Sequence, residues 1–398
     1  MTRRIAITCG GGYVPGLNAV LAGAALAARR LGWDAVGIHD GFDGVLSAEG
    51  YADGGVVALD GRVLEGLAAS GSLLGTGARH DPFRTRTVTA DNIVTELDRS
   101  DELLDRLRQA GIDAVVAVVG GSAITGRHAM SVALRLSRKG LPVVCIPKSV
   151  ENDIGATSLA FGYDSALAYA TDTIERIRTA ARDVRRLAVV EAPGSEAGWL
   201  VLQAGLAVRA DAILVPEIPY DLATLATALR RAEAEGARPS LVVAAQGAVP
   251  RPGPGEAEVA PTGLQKSLSP LSDLRYGEGG RVIDRSGALA QALAVGLQRL
   301  TDRETIPLTL DHLVRTGAPT AIDRQLGHVY GAGAVRAIAE GRAGVVVGYS
   351  PPDLAFTPLA EAVNTVRRVP LDGELVRTAR SIGIHFGDDD HQGGVHVR

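Results

Sequence analysis

The sequence predicts an α/β protein of two doubly wound, Rossmann-like domains, and three observations support this. The chain has 398 residues, 46% of them hydrophobic, which is more than one compact core ordinarily holds, so two domains are expected. Short β-branched runs alternate with Ala/Leu-rich stretches of helical period, the pattern of βα units. The strand-like runs are almost uniformly apolar, as a parallel strand covered on both faces must be. Ligands of such sheets sit at the carboxyl ends of the strands.

Taken in order, Arg4–Thr8 reads as a strand and Asn18–Arg30 as the helix behind it. Asp113–Val119 with Arg127–Ser137, then Val143–Ile146 with Asp164–Asp183, repeat the unit. Leu187–Glu191, Ala212–Val215 and Leu241–Ala245 continue as buried strands. Pro250–Gly280 has neither period and is rich in Pro and Gly, so a mobile insertion is expected there. The tail from Gly387 is expected to fray. No repeat of solenoid spacing is present.

Lys and Arg number 41 against 45 Asp and Glu, without a long run of either sign. Nothing in that balance calls for nucleic acid or an anionic membrane as partner, so a small ligand is expected. Cys9 and Cys145 are the only cysteines, both in apolar or Gly-rich settings, and read as buried structural thiols in a reducing compartment. With no apolar segment of signal-peptide or membrane-spanning length, a cytoplasmic location is expected.

Three strand ends carry the chemistry. Thr8-Cys9-Gly10-Gly11-Gly12-Tyr13-Val14-Pro15-Gly16-Leu17-Asn18 runs from a strand straight into a helix, where glycines let backbone N–H groups approach an anion. It is neither a Walker A loop nor a dinucleotide fingerprint, so by itself it reads as a phosphate cradle or a tight turn. Val119-Gly120-Gly121-Ser122-Ala123-Ile124-Thr125-Gly126 is a second such turn, and the pair suggests a polyphosphate across the sheet edge. Ile146-Pro147-Lys148-Ser149-Val150-Glu151-Asn152-Asp153 places two carboxylates beside a lysine. Phosphoryl transfer needs a base for the hydroxyl nucleophile, a cation and donors for the spreading charge; a solvated charged turn is the alternative reading.

The motifs resemble those of the phosphofructokinase family, in its order and near its spacing over most of the chain. TCGGGYVPGLN resembles its T-S/C-G-G-x-x-P-G-x-N loop with one extra residue, and GIHDGFDGVL its G-x-x-x-G-x-x-G-L segment. SLLGTGARHDPFR resembles the G-x-x-L-G-x-x-R loop, and PKSVENDIGATSLAFGYDSAL the P-K-T-I-D-N-D-I segment with its G-F-D-T-A. VVEAPGSEAGWL, ILVPEIP and HLVRTGAPTAIDRQL follow in the family's order.

The resemblance implies a phosphofructokinase fold, with residues 1–160 plus about 314–365 holding the donor and about 161–313 plus 366–398 holding the sugar phosphate, the active cleft between them. It implies Gly10, Gly11, Gly12, Gly120, Gly121, Ser122, Ala123, Arg79 and, less directly, Arg84 around the donor phosphates. Glu151 is implied as base, Asp153 as the metal-side or orienting acid, and Lys148 and Arg79 as charge stabilisers. Ser149, Arg186, Gly194, Glu217, His312 and Arg315 are implied for the acceptor, Arg186 reaching across a subunit interface. Without the resemblance Arg186 reads as a solvated arginine and His312 as a satisfied core histidine.

Four departures fall inside that implied site. Ser122 stands where the family has a metal-binding carboxylate, and a serine is the poorer ligand for Mg²⁺. Glu151 replaces the aspartate base, and its extra methylene moves the carboxylate by on the order of 1 Å, a displacement that can cost about 10²-fold. Ser195 replaces an arginine, with Pro193 for the methionine before it, removing a cation from the transferring group. Ile306 replaces a second interface arginine.

The function so implied is transfer of a phosphoryl group, with diphosphoryl transfer an open alternative, from ATP or pyrophosphate to a hydroxyl of a sugar phosphate, a ketose 6-phosphate related to fructose 6-phosphate. Mg²⁺ is the implied cofactor, and a homodimer or homotetramer the implied assembly. Ala123, small and uncharged, points to ATP as donor. The competing reading is a decayed, phosphofructokinase-like ligand-binding or regulatory subunit.

Overall fold

The computed structural model describes residues 2–65, 67, 70–77, 81–88, 94–120, 126–252, 287–363 and 365–389. Its elements, in chain order, are β1 (Arg4–Cys9), α1 (Leu17–Arg30), β2 (Asp34–Ile38), α2 (Asp43–Leu46), β3 (Val56–Ala58), α3 (Gly61–Glu65), β4 (Thr85–Val88), β5 (Val94–Leu97), α4 (Ser100–Gln109), β6 (Ala114–Gly120), α5 (Gly126–Arg138) and β7 (Val143–Lys148). There follow α6 (Tyr163–Asp183), β8 (Leu187–Ala192), α7 (Trp199–Ala207), β9 (Ala212–Leu214), α8 (Leu222–Ala234), β10 (Leu241–Ala245), α9 (Ala288–Thr301), β11 (Thr305–Thr309), α10 (Ala321–Ala339), β12 (Val345–Ser350), β13 (Asp353–Pro358), α11 (Leu359–Ala362) and α12 (Glu374–Ser381).

The chain divides into two compact units. Met1–Val150, Ile154–Ser165 and Arg315–Thr365 form unit 1; Glu151–Asp153, Ala166–Val314 and Val366–Arg398 form unit 2. Unit 1 is built on a seven-stranded sheet of order β13-β12-β7-β6-β1-β2-β3, parallel except at its two edges, where β13 and β3 run antiparallel to their neighbours. The register brings the ends of three central strands level: Cys9 lies opposite Val118, and Gly120 opposite Lys148. Unit 2 is built on a parallel four-stranded sheet of order β11-β8-β10-β9, in which β8 and β10 are buried along their whole length. Leu187, Val189, Val242, Leu225, Leu293 and Leu297 pack in its core.

Helix α1, which carries the first glycine loop at its N-terminus, crosses α10 at close range. A Cβ on Gly331 would stand 2.3 Å from Val20 O, and one on Gly23 2.7 Å from His328 O. Only glycine permits that approach. Asp323, in the first turn of α10, is buried and accepts the Gly162 and Ser165 amides at 2.9 and 2.7 Å and the Ser165 hydroxyl at 2.6 Å. That carboxylate therefore caps the start of α6 with charge at the favourable end of the helix.

The tail differs from expectation at its start. Asp221 N donates to Gly387 O at 2.6 Å, Gly387 N to His385 Nδ1 at 2.8 Å, and Asp388 pairs with Arg380 at 2.6 Å. Gly387–Asp389 are thus tied to unit 2 and do not fray. Burial holds the His385 imidazole below its ordinary range, which suits a ring nitrogen that accepts an amide. The expected insertion falls largely on residues 253–286, outside the described residues. Among the described residues, no helix is long and apolar enough to cross a membrane.

Gly331→Ala should lower stability by about 1–3 kcal/mol, the cost of overpacking a close contact, read as a fall in Tm. An unchanged Tm would show that α1 and α10 separate freely.

Candidate active site

In unit 1, three motifs far apart in sequence meet around the first glycine loop. Gly12 N donates to Thr76 O at 3.2 Å, Leu73 N to Asn18 Oδ1 at 3.4 Å, and Gly77 N to Asp40 Oδ1 at 2.7 Å. Gly41 N closes onto Cys9 O at 2.9 Å. Gly11 and Gly12 take φ of 80° and 87°, which a side chain would resist. Gly10 N lies 3.5 Å from Val118 O, so two of the amides expected to cradle phosphate are engaged with main chain instead. Arg79 follows directly on this loop but lies outside the described residues, as do Gly121, Ser122 and Ala123. Gly120 closes β6, buried; Arg84 is exposed, its N–H on Asp81 O at 2.9 Å.

Lys148 ends β7 with only 1% of its surface exposed. Its ammonium donates to Gly12 O and touches the Cys9 thiol, so the lysine reaches under the glycine loop. Burial pushes its pKa below the ordinary lysine range; Cys9 opposes that fall and the nearby Arg315 charge adds to it. Burial in turn raises the Cys9 pKa, against the pull of Lys148. Cys9, expected to be merely structural, is therefore a direct neighbour of the catalytic lysine candidate. Ser149 N is bonded to Phe161 O at 3.2 Å.

Glu151, Asn152 and Asp153, all buried, belong to unit 2. The Glu151 carboxylate accepts the Ser195 amide at 2.7 Å and the Ser195 hydroxyl at 3.4 Å. Two departures noted in the sequence thus meet in space: the longer acid ends on the residue that replaces an arginine. Gly194, beside it, has no room for a side chain, since a Cβ would stand 2.8 Å from that of Ala245. Glu217 accepts the Val369 and Gly198 amides at 2.8 and 3.1 Å, and burial raises its pKa against those bonds.

Arg186 and His312 each form an ion pair. Arg186, partly exposed, pairs with Glu304 at 2.7 Å. His312 is 77% exposed and pairs with Asp311 at 3.2 Å, so the core-histidine alternative is wrong. Asp311 also accepts Gln246 Nε2 at 3.0 Å. Sequence reasoning passed over Gln246, Trp199 and Arg367; Gln246 had one signal, its place at the carboxyl end of an apolar strand. Unit 2 also holds a cavity of about 590 Å³ lined by Arg178, Arg182, Arg209, Arg238 and His385.

Comparison with known proteins decides the family. The phosphofructokinase family pattern matches residues 4–338. The chain belongs to the phosphofructokinase family. It is 35% identical over 387 residues to an ATP-dependent 6-phosphofructokinase of Chloroflexus aggregans, covering 97% of this chain and 98% of that one. An ATP-dependent 6-phosphofructokinase 1 of Synechocystis is 32% identical over 390 residues, covering 97% and 99%. The pyrophosphate-dependent phosphofructokinase structure of Marinobacter aquaeolei superposes with a TM-score of 0.71 at 17% identity, over 96% of this chain and 92% of that one, and shares the fold. The phosphofructokinase fold read from the sequence is thus the one observed, and the chain is a sugar-phosphate kinase of this family.

Lys148 supplies a pH test of its surroundings. Its folded pKa lies below the unfolded 10.5, so between those two values the unfolded chain binds more protons and stability rises with pH. Denaturant unfolding from neutral pH toward 10.5 should show the wild type gaining on Lys148→Met. A constant difference between the two would place the lysine in solvent.

Proposed function

We propose that the chain transfers a phosphoryl group from ATP to a hydroxyl of fructose 6-phosphate or a closely related ketose 6-phosphate. The observation that carries this reading is the buried Glu151 carboxylate, anchored at 2.7 Å by the Ser195 amide, at the position of the family's base. A carboxylate so oriented can take the proton of the attacking hydroxyl without first reorganising, the usual source of general-base efficiency. Lys148 and Arg79 supply positive charge toward the transferred group.

ATP is favoured over pyrophosphate by the names of the full-length relatives above 30% identity and by the small Ala123. The decayed-subunit reading has the weaker support, because Glu151, Asp153 and Lys148 are all kept buried at a cost that a site without chemistry would not maintain. Among the described residues, no cluster of three or more His, Cys, Asp or Glu forms a metal cage. Mg²⁺ bound with phosphates needs only one or two carboxylates, and buried Asp153 fits that role. The ion would neutralise charge on the donor phosphates. A homodimer or homotetramer in the cytoplasm accompanies this reading, with Arg186 serving a neighbouring subunit's acceptor.

Incubation with Mg²⁺, ATP or pyrophosphate, and a panel of ketose and aldose phosphates, followed by product mass spectrometry, tests the proposal. A single phosphoryl increment on fructose 6-phosphate with ATP is expected, from a species that sediments as a dimer or tetramer. Turnover of another acceptor alone would correct the substrate, a two-phosphoryl increment the group transferred, a monomer the assembly. Binding without any turnover would restore the decayed-subunit reading.

A further inference from the structure

Arg367 has no place in the chemistry just described, yet it touches the turn that carries the base. Its N–H donates to Asp153 O at 2.8 Å, and its guanidinium Nη1 reaches Asn152 O at 3.4 Å. Asn152 stands at φ 52°, in the left-handed region that asparagine tolerates better than most residues. That conformation sets the direction of the chain between Glu151 and Asp153, and the two carbonyls that Arg367 binds are those of the turn itself.

The arginine is held in its turn. Its guanidinium lies 4.0 Å from the centroid of the Trp199 ring, and Trp199 Nε1 donates to Arg367 O at 2.8 Å. Glu217 joins the same two segments, accepting the Gly198 amide at 3.1 Å and the Val369 amide at 2.8 Å. Ser195, which anchors Glu151, lies on the loop that leads into α7, whose first residue is Trp199. The contacts close a ring within unit 2: Glu151 to Ser195, along the chain to Trp199, across to Arg367, and back to Asn152 and Asp153.

We propose that Arg367 is a positioning residue for phosphoryl transfer, its guanidinium stacked on Trp199 and holding the left-handed Asn152 peptide so that Glu151 meets the acceptor hydroxyl in one orientation. A planar guanidinium suits this place because it can lie on an aromatic face and donate in its plane at once, which an ammonium cannot. The inference rests on Glu151 being the base.

The full chain carrying Arg367→Met or Arg367→Lys tests it. Both variants keep the main-chain N–H that binds Asp153 O, so the turn retains its shortest tie and the fold should persist. Arg367→Met should lower kcat by about 10- to 100-fold, the cost of a small misplacement, with KM for the nucleotide little changed and Tm nearly kept. Arg367→Lys should recover only part of the loss. Amide exchange of residues 150–154 should quicken in Arg367→Met. An unchanged kcat overturns the proposal, as does a loss that follows the folded fraction equally in both variants. Exchange can be read whether or not turnover is found. A wild type that transfers no phosphoryl group, with quickened exchange in Arg367→Met, overturns the proposed reaction and leaves the clamp; unchanged exchange overturns the clamp.

Discussion

The hydrogen bond from the Ser195 amide to the Glu151 carboxylate, 2.7 Å long and buried, fixes the orientation of the acid on which the proposed reaction depends. It joins two of the departures noted in the sequence, the main chain of residue 195 giving the shorter bond and the serine hydroxyl the longer one at 3.4 Å. Glutamate has the reach to end on the loop at Ser195, and serine has a short side chain that leaves its own amide and hydroxyl to receive the acid. A carboxylate bonded to a main-chain donor inside the protein is held far more firmly than one in water, because the competing solvent is absent. Glu151 and Ser195 are therefore better understood as a matched pair than as two separate departures.

The donor side follows a different logic, that of register. Parallel pairing of β1, β6 and β7 brings Cys9, Val118 and Lys148 to one sheet edge, and Lys148 then reaches the carbonyl of Gly12 beneath the loop. The loop is stiffened from outside as well, by Thr76 and by the Asp40 carboxylate on Gly77. The close crossing of α1 and α10 at Gly23 and Gly331 carries the same rigidity into the helix that follows.

Much of the fold was legible because buried parallel strands are written as uninterrupted apolar runs. Leu187–Glu191 and Leu241–Ala245 are strands in the sequence and strands in the structure within a residue. The edge strands β3 and β13 went unread, being short or half exposed and so lacking that signature. In the candidate site, Lys148, Glu151 and Asp153 were named from motif order, at and just after the end of β7. Their partners were not legible: Ser195 and Gly12 are reached only through packing, and nothing in Val366-Arg367-Arg368-Val369-Pro370 marks an arginine that meets a tryptophan 168 positions away. Glu217 was placed by its motif, but its bonds to Gly198 and Val369 depend on two loops that sequence alone does not bring together.

The measurement that bears most directly on the matched pair is the steady-state activity of Glu151→Asp, which installs the family's own residue at this position. Shortening the side chain withdraws the carboxylate from the Ser195 amide, so kcat should fall by about 10²-fold although the base remains an acid of the ordinary family type. Activity equal to or above that of the wild type would contradict the account, showing that Glu151 gains nothing from Ser195.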